Sequence, residues 1–227
     1  MIDTDHLESL RLACMLCESG AAVERFKHIT FDAGQVRAFN GIVGLQAPFP
    51  LEDEKFAVNE ERLDRALSAC AGEGLTVSSL KEHLVFKQGK LTIRVRKLDQ
   101  DSVYTARLEV PKKEARADAT GLRGALERVA PFVSADASRP WSTAALVNGD
   151  YVYATNNLSL VRTQFYLPFA MKIPSPAIPV LLALPNIDWV ARTDTQLFAG
   201  YKRIVVSFPE HAGDWPDVGA MFKPMPK

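Results

Sequence analysis

A series of helix and strand signals in the first half of the chain returns in the same order in the second, at an offset of about 115 residues. Leu7 corresponds to Leu122, Phe31 to Leu146, Asn40 to Asn156, Leu63 to Val180 and Ile93 to Val205. An internal repeat of this length restricts the chain to a duplicated architecture, each copy ordered helix, strands, helix, strands.

The signals in the first copy are local. A helix is expected over residues 5–18, with Asp5 as its N-cap and Glu8 in capping-box register. "FKHITFD" and "QVRAFNGIVGLQ" read as strands separated by a turn at Ala33-Gly34. "AVNEERLDRALSACAG" reads as a second helix, capped by Asn59 and ended by Gly72, with Glu60 and Glu61 complementing its dipole. "LTVSSL", "HLVFK" and "KLTIRVRKL" are strands, the last two joined at Gln88-Gly89, and "SVYTARLEV" is expected as one more.

In the second copy, "GLRGALERVAPFVS" is a helix with Thr120 as its cap. Strands follow through "STAALVNGDYVYATNNLSLVRTQFYL", where Asn148-Gly149 marks a hairpin and Asn156-Asn157 a further turn. "PSPAIPVLLALP" is a short helix opened by proline, with Pro176 in its first turn. "DWVART", "TQLFAG" and "KRIVVSF" are three more strands. Pro111 and the charges of "PKKEARAD" mark residues 111–118 as a linker between units 1–110 and 119–227. The fold class is α+β.

Composition narrows the function. The 227 residues are 47% hydrophobic and 24% charged with zero formal net charge, so a soluble globular protein is expected and bulk charge does not select a polyanionic partner. There is no apolar run of membrane-spanning length, and "MIDTDHLESL" lacks the features of a signal peptide, so no membrane partner and a cytoplasmic location are expected. Cys14 and Cys17 form a C-x-x-C, but both fall on the apolar face of the first helix with Leu7 and Leu10. No second cysteine or histidine pair completes a zinc site, so they read as small buried hydrophobes. Phosphate-loop, zinc-protease and nucleophile-elbow motifs are absent, and His6, His28, His83 and His211 have no partner motif. Neither an enzyme nor a bound cofactor or metal is expected.

The second copy resembles the middle domain of the bacterial DNA sliding clamp, the processivity factor of the replicative polymerase. The likeness is carried by "VSADASRPWSTAALVNGDYVYATNNLSLVR", similar to that family's Arg-Pro, hairpin and A-T-D-G-x-R-L sequence. "KIPSPAIPVLLAL" and the closing "GDWPDVGAMFKPMPK" extend it. The hairpin motif departs from the family at Asn156-Asn157 and Ser159, where its acid, glycine and arginine are absent. The resemblance implies the DNA clamp fold, with two repeated domains that each pack two helices on antiparallel sheets. Bacterial clamps carry three domains per chain and two chains per ring. A chain with room for two domains implies a head-to-tail homotrimer, as in some phage clamps.

A clamp encircles double-stranded DNA without reading its sequence and tethers a polymerase after placement by a clamp loader. On this resemblance, the DNA-facing residues are Arg11, Arg25, Lys27, Arg62, Arg65, Arg123, Arg128 and Arg139, from the helices and the loops beside them. The partner-peptide pocket is carried over to Thr155, Leu160, Pro224 and Met225. The alternative is a clamp-like decoy or peptide-binding module that does not encircle DNA.

Overall fold

The structure, a computed structural model, describes residues 4–19, 26–51, 54–70, 74–98 and 107–222. Helix α1 (Thr4–Ser19) precedes strands β1 (His28–Asp32), β2 (Gln35–Phe39), β3 (Gly44–Pro48) and β4 (Lys55–Asn59). Helix α2 (Glu60–Ala69) leads to β5 (Thr76–Ser79), β6 (His83–Gln88) and β7 (Leu91–Arg96). The second half opens with β8 (Arg116–Asp118) and α3 (Leu122–Val129), followed by β9 (Ala144–Asn148), β10 (Tyr151–Thr155), β11 (Leu160–Gln164) and β12 (Met171–Pro174). Helix α4 (Ile178–Ala183), strands β13 (Trp189–Arg192), β14 (Leu197–Tyr201) and β15 (Ile204–Phe208), and the short helix α5 (Val218–Met221) complete it.

Strand order repeats with the sequence. The first half pairs β4-β1-β2-β3 and the second pairs β12-β9-β10-β11, while β5-β6-β7 and β13-β14-β15 form matching antiparallel meanders. The copies differ in one join. Strand β15 pairs with β3, placing Val206 opposite Leu45, and the two halves become one eight-stranded sheet. Gly44 permits this approach, because a Cβ there would meet Ser207 Oγ and Leu108 Cδ2, each at 3.0 Å. Across the same join, Lys202 Nζ pairs with Asp5 at 3.0 Å.

Turn chemistry sets the register. Ala33 and Gly34 have φ of 49° and 72°, both positive as a tight twisted hairpin requires. The Asn40 and Asn156 turns are the same device. Asn40 Oδ1 accepts from the amides of Ile42 and Val43 at 3.0 and 2.8 Å, and Asn156 Oδ1 from Leu158 and Ser159 at 3.1 and 2.8 Å. The next residue takes positive φ in each, Gly41 at 98° and Asn157 at 68°.

The helices share one layer. Helix α1 packs against both α2 and α4, and α4 packs against α3. Their apolar stripes, such as Leu10, Leu63, Leu126 and Leu181, enter a core that runs through both halves. Cys14 and Cys17 are in that core. Burial raises both thiol pKa values, that of Cys17 to about 12, and the Cys17 thiol donates to the His28 carbonyl at 3.7 Å.

Several sequence expectations change. Lys55–Asn59 is a strand, so α2 begins at Glu60, although Asn59 does cap it by accepting from the Arg62 amide at 3.2 Å. Thr120 is not the cap of α3. It bonds Asp118, and Gly121 at φ 97° turns the chain into the helix. Residues 116–118, expected within a linker, form β8 and pair with β13. Of the expected strand "SVYTARLEV", residues 107–110 are not a strand, and 102–106 lie outside the described residues, as does Gly72. Hairpin registers pair Phe31 with Val147 and Ile93 with Val206, one residue from the sequence alignment. That slip matters because neighbouring strand residues face opposite ways. Val147 and Val206 are in the main core, whereas Leu146 and Val205 belong to separate outer clusters.

Gly200 lies opposite Trp189, whose indole crosses it and carries the Arg116 guanidinium on its other contact at 4.0 Å. An added Cβ would fall 2.1 Å from Trp189 Cε2. Gly200→Ala is therefore expected to destabilise the protein by about 1–3 kcal/mol through overpacking, read from urea denaturation. An unchanged midpoint would contradict the packing described.

Candidate functional site

Two surfaces hold the residues singled out in the sequence. On the helix layer, Arg11 is exposed beside a groove between α1, α2 and α4 floored by Leu7, Leu12, Met15 and Leu67 and edged by Glu8 and Asp64. Arg62 and Arg65 are exposed on α2, and Arg65 pairs with Glu61 one turn away. Arg128 reaches the Thr163 hydroxyl at 3.3 Å. Arg123 is committed to the fold: its Nε donates to the carbonyls of Leu182 and Leu184 at 3.1 and 2.8 Å, closing the C-terminal end of α4. Lys27 is half-buried before β1, and its carbonyl accepts from the Glu60 amide at 2.9 Å. Arg25 lies outside the described residues.

The four layer helices contain seven acidic residues against five arginines. These helices carry no net positive charge.

Arg139 sits elsewhere. It lines a cavity of about 210 Å³ together with Trp141, Thr155, Leu160 and the C-terminal residues Val218 and Met221. Thr155 is buried at the end of β10 and Leu160 is half-buried at the start of β11, so the Asn156 turn holds them side by side. Asn157 secures the turn from below. Its amide donates to Thr155 Oγ1 at 3.1 Å, and its Nδ2 donates to Ser134 and Ser142 at 3.4 and 3.3 Å. Its Oδ1 is buried without a partner among the described residues.

The segment after β15 forms the opposite wall. Val218, Trp215 and Phe222 pack with Leu146, Tyr153 and Leu160 on the sheet face turned away from the main core. Arg162 stacks on Tyr151 and Phe222, 4.4 and 4.3 Å from the ring centroids. Trp141 meets Trp215 edge to face at 5.3 Å. Among the described residues the cavity is mainly apolar, with a methionine at its edge and one cation, which suits a short apolar peptide segment better than reaction chemistry.

Pro224 and Met225 lie outside the described residues. Sequence reasoning missed Trp141, Asn157, Pro216, Val218 and Met221 as cavity residues. Trp141 directly follows the quoted Arg-Pro, and Asn157 stands at a departure from the family motif; these were the available signals.

His211 fixes the start of this wall. Its Nδ1 accepts from the Gly213 amide at 2.9 Å and its Nε2 lies 3.1 Å from Thr143 Oγ1. Burial first, and the Lys172 charge second, lower its pKa from 6.5. The unfolded chain therefore binds a proton at higher pH than the folded one. The stability contributed by neutral His211 is complete above about pH 6.5 and is lost as pH falls toward the lower folded value. Tryptophan emission from the Trp141–Trp215 pair should shift as pH falls through this window, and His211→Gln should remove the shift. An identical pH profile in that variant would contradict the role given to His211.

No protein-family model and no curated protein matches the sequence. Solved structures do match. The DNA polymerase III beta subunit of Thermotoga maritima aligns over 98% of this chain and 66% of its own, with a TM-score of 0.76 at 11% identity. The Streptococcus pneumoniae beta chain aligns over 96% and 66%, with a TM-score of 0.77 at 16% identity. The Helicobacter pylori beta clamp, solved with a DNA ligase peptide, aligns over 97% and 68%, with a TM-score of 0.74 at 15% identity. The chain thus spans about two thirds of the length of these proteins. With its repeated strand order, shared helix layer and continuous sheet, the chain has the fold of the DNA polymerase III beta-subunit sliding clamps.

Proposed function

We propose that the protein is a DNA sliding clamp that closes head to tail into a homotrimeric ring around duplex DNA and tethers a polymerase. The observation that carries this reading is the join between β15 and β3. Its counterparts, β7 in the first half and β11 in the second, are end strands of their sheets. A strand edge with unpaired backbone groups seeks a partner strand. If residues 1–110 and 119–227 act as equivalent units, the β7 edge of one chain meets the β11 edge of the next as β15 meets β3.

The hairpin registers carry that pairing to residues. Val205, Val206 and Ser207 correspond to Thr92, Ile93 and Arg94, and Gly44, Leu45 and Gln46 to Leu160, Val161 and Arg162. Ile93 of one chain would therefore face Val161 of its neighbour, as Val206 faces Leu45 within the chain. Six units from three chains close the ring, with the helix layer facing the duplex.

Short apolar segments of the polymerase and clamp loader would enter the cavity between Thr155, Leu160 and Met221. The Helicobacter pylori clamp bound to a DNA ligase peptide is a precedent for peptide binding by this fold. The pocket would then lie beside the subunit join, since Leu160 belongs to both. A second reading, a clamp-like peptide-binding module that does not encircle DNA, is favoured by the acidic excess of the helix layer.

A chain carrying both Ile93→Cys and Val161→Cys separates the two readings, because the native Cys14, Cys17 and Cys70 are buried. Oxidised in the presence of nicked circular duplex, it should form disulfides between chains. The protein should then stay on the circle through a high-salt wash and leave when the circle is cut. Absence of the crosslink would overturn the β7–β11 join, and equal retention on cut and uncut DNA would overturn encirclement.

A further inference from the structure

The same sheet face is treated in opposite ways by the two halves. In the second half, Ala191, Phe198 and Val205 point away from the main core and are covered by Leu108, Val110 and Trp189. The hairpin registers place Ser78, Val85 and Thr92 at the equivalent positions on β5, β6 and β7. On that first-half face, Lys87, Arg94 and Arg96 are exposed around Val85, and His83 lies opposite Arg96.

Positive charge is concentrated in this stretch of sequence. Residues 81–98 contain six lysines and arginines and one acidic residue, Glu82, in a chain whose formal charge is zero. Lys97 pairs with Glu54. Lys87, Arg94 and Arg96 form no ion pair among the described residues. On the first-half helices Arg11, Arg62 and Arg65 are outnumbered by six acidic residues, whereas Lys87, Arg94 and Arg96 share a strand face that carries no acidic residue.

We propose that the outer face of β5–β7 is a contact surface for the phosphate backbone of double-stranded DNA, working without encirclement. Exposed cations on adjacent strands, interspersed with the hydroxyls of Ser78 and Thr92, match the sequence-independent donors that hold phosphate oxygens. The strands β5–β7 place no Phe, Tyr or Trp on this face and His83 is their one ring there, so it offers no run of stacking platforms for successive single-stranded bases. Val85 is 5% exposed, so the centre of the face lacks the apolar anchor that peptide recognition uses.

A short blunt linear duplex, which slides off any ring, is the probe. Its binding is followed by fluorescence anisotropy across a salt series. The combined Lys87→Gln, Arg94→Gln and Arg96→Gln variant should bind about tenfold more weakly at low salt, and its salt slope should fall by about 2–3. Lys112→Gln with Lys113→Gln, exposed between the two halves, should change binding much less. Circular dichroism controls for folding, and the single Arg94→Glu variant should weaken binding in the same direction. Wild-type affinity and slope in the triple variant would overturn the proposal. So would a wild-type protein that ignores the duplex and binds polyglutamate, an outcome that would assign the face to an acidic protein segment.

Discussion

The backbone hydrogen bonds between β3 and β15 organise the molecule. They pair two edges that would otherwise expose unpaired amide and carbonyl groups, and they convert two similar units into one sheet. The join is closed on several sides. Gly44 admits the neighbouring strand, the Gln46 side chain accepts from the Leu108 amide at 3.3 Å, and Leu108 and Val110 cover the outer face. Because the chain is duplicated, satisfying one pair of edges leaves another pair at opposite ends of the repeat. The proposed assembly follows from that asymmetry.

The proposed function rests on surfaces. The Asn156 turn shows how one local element serves both fold and site. Its hydrogen bonds are those of the Asn40 turn, yet only in the second half does the C-terminal segment pack beside it and create a cavity. The first-half turn instead has Phe26 against Gly41, where an added Cβ would fall 2.9 Å from the ring. Identical backbone chemistry therefore has different surroundings in the two copies, and the surroundings decide what can bind.

Much of this was legible in the sequence because hairpins announce themselves. Gly34, Gly41, Gly149 and Asn157 are residue types that accept positive φ at these turns, and the repeat order follows from them. Strand β4 was hidden because Asn59 ends the strand and caps the helix at once, leaving no glycine or proline between them. Strand β8 was hidden because three residues of a charged segment read as linker, although Arg116 is held by the Pro111 carbonyl and the Trp189 ring. At the site, Thr155 and Leu160 came from a motif. Trp141, Val218 and Met221 reach the cavity through tertiary packing, which no local pattern encodes. The charge of the helix layer was also misleading residue by residue, since Arg123 looks surface-directed in the sequence and is spent on two carbonyls.

The central claim is that the end strands β7 and β11 complete one another between chains. Light scattering across a concentration series tests it most directly. A species of about 75 kDa, three times the 25.0 kDa protomer, is the predicted result for a closed ring of two-unit chains. A mass that stays at one protomer at every concentration would contradict it.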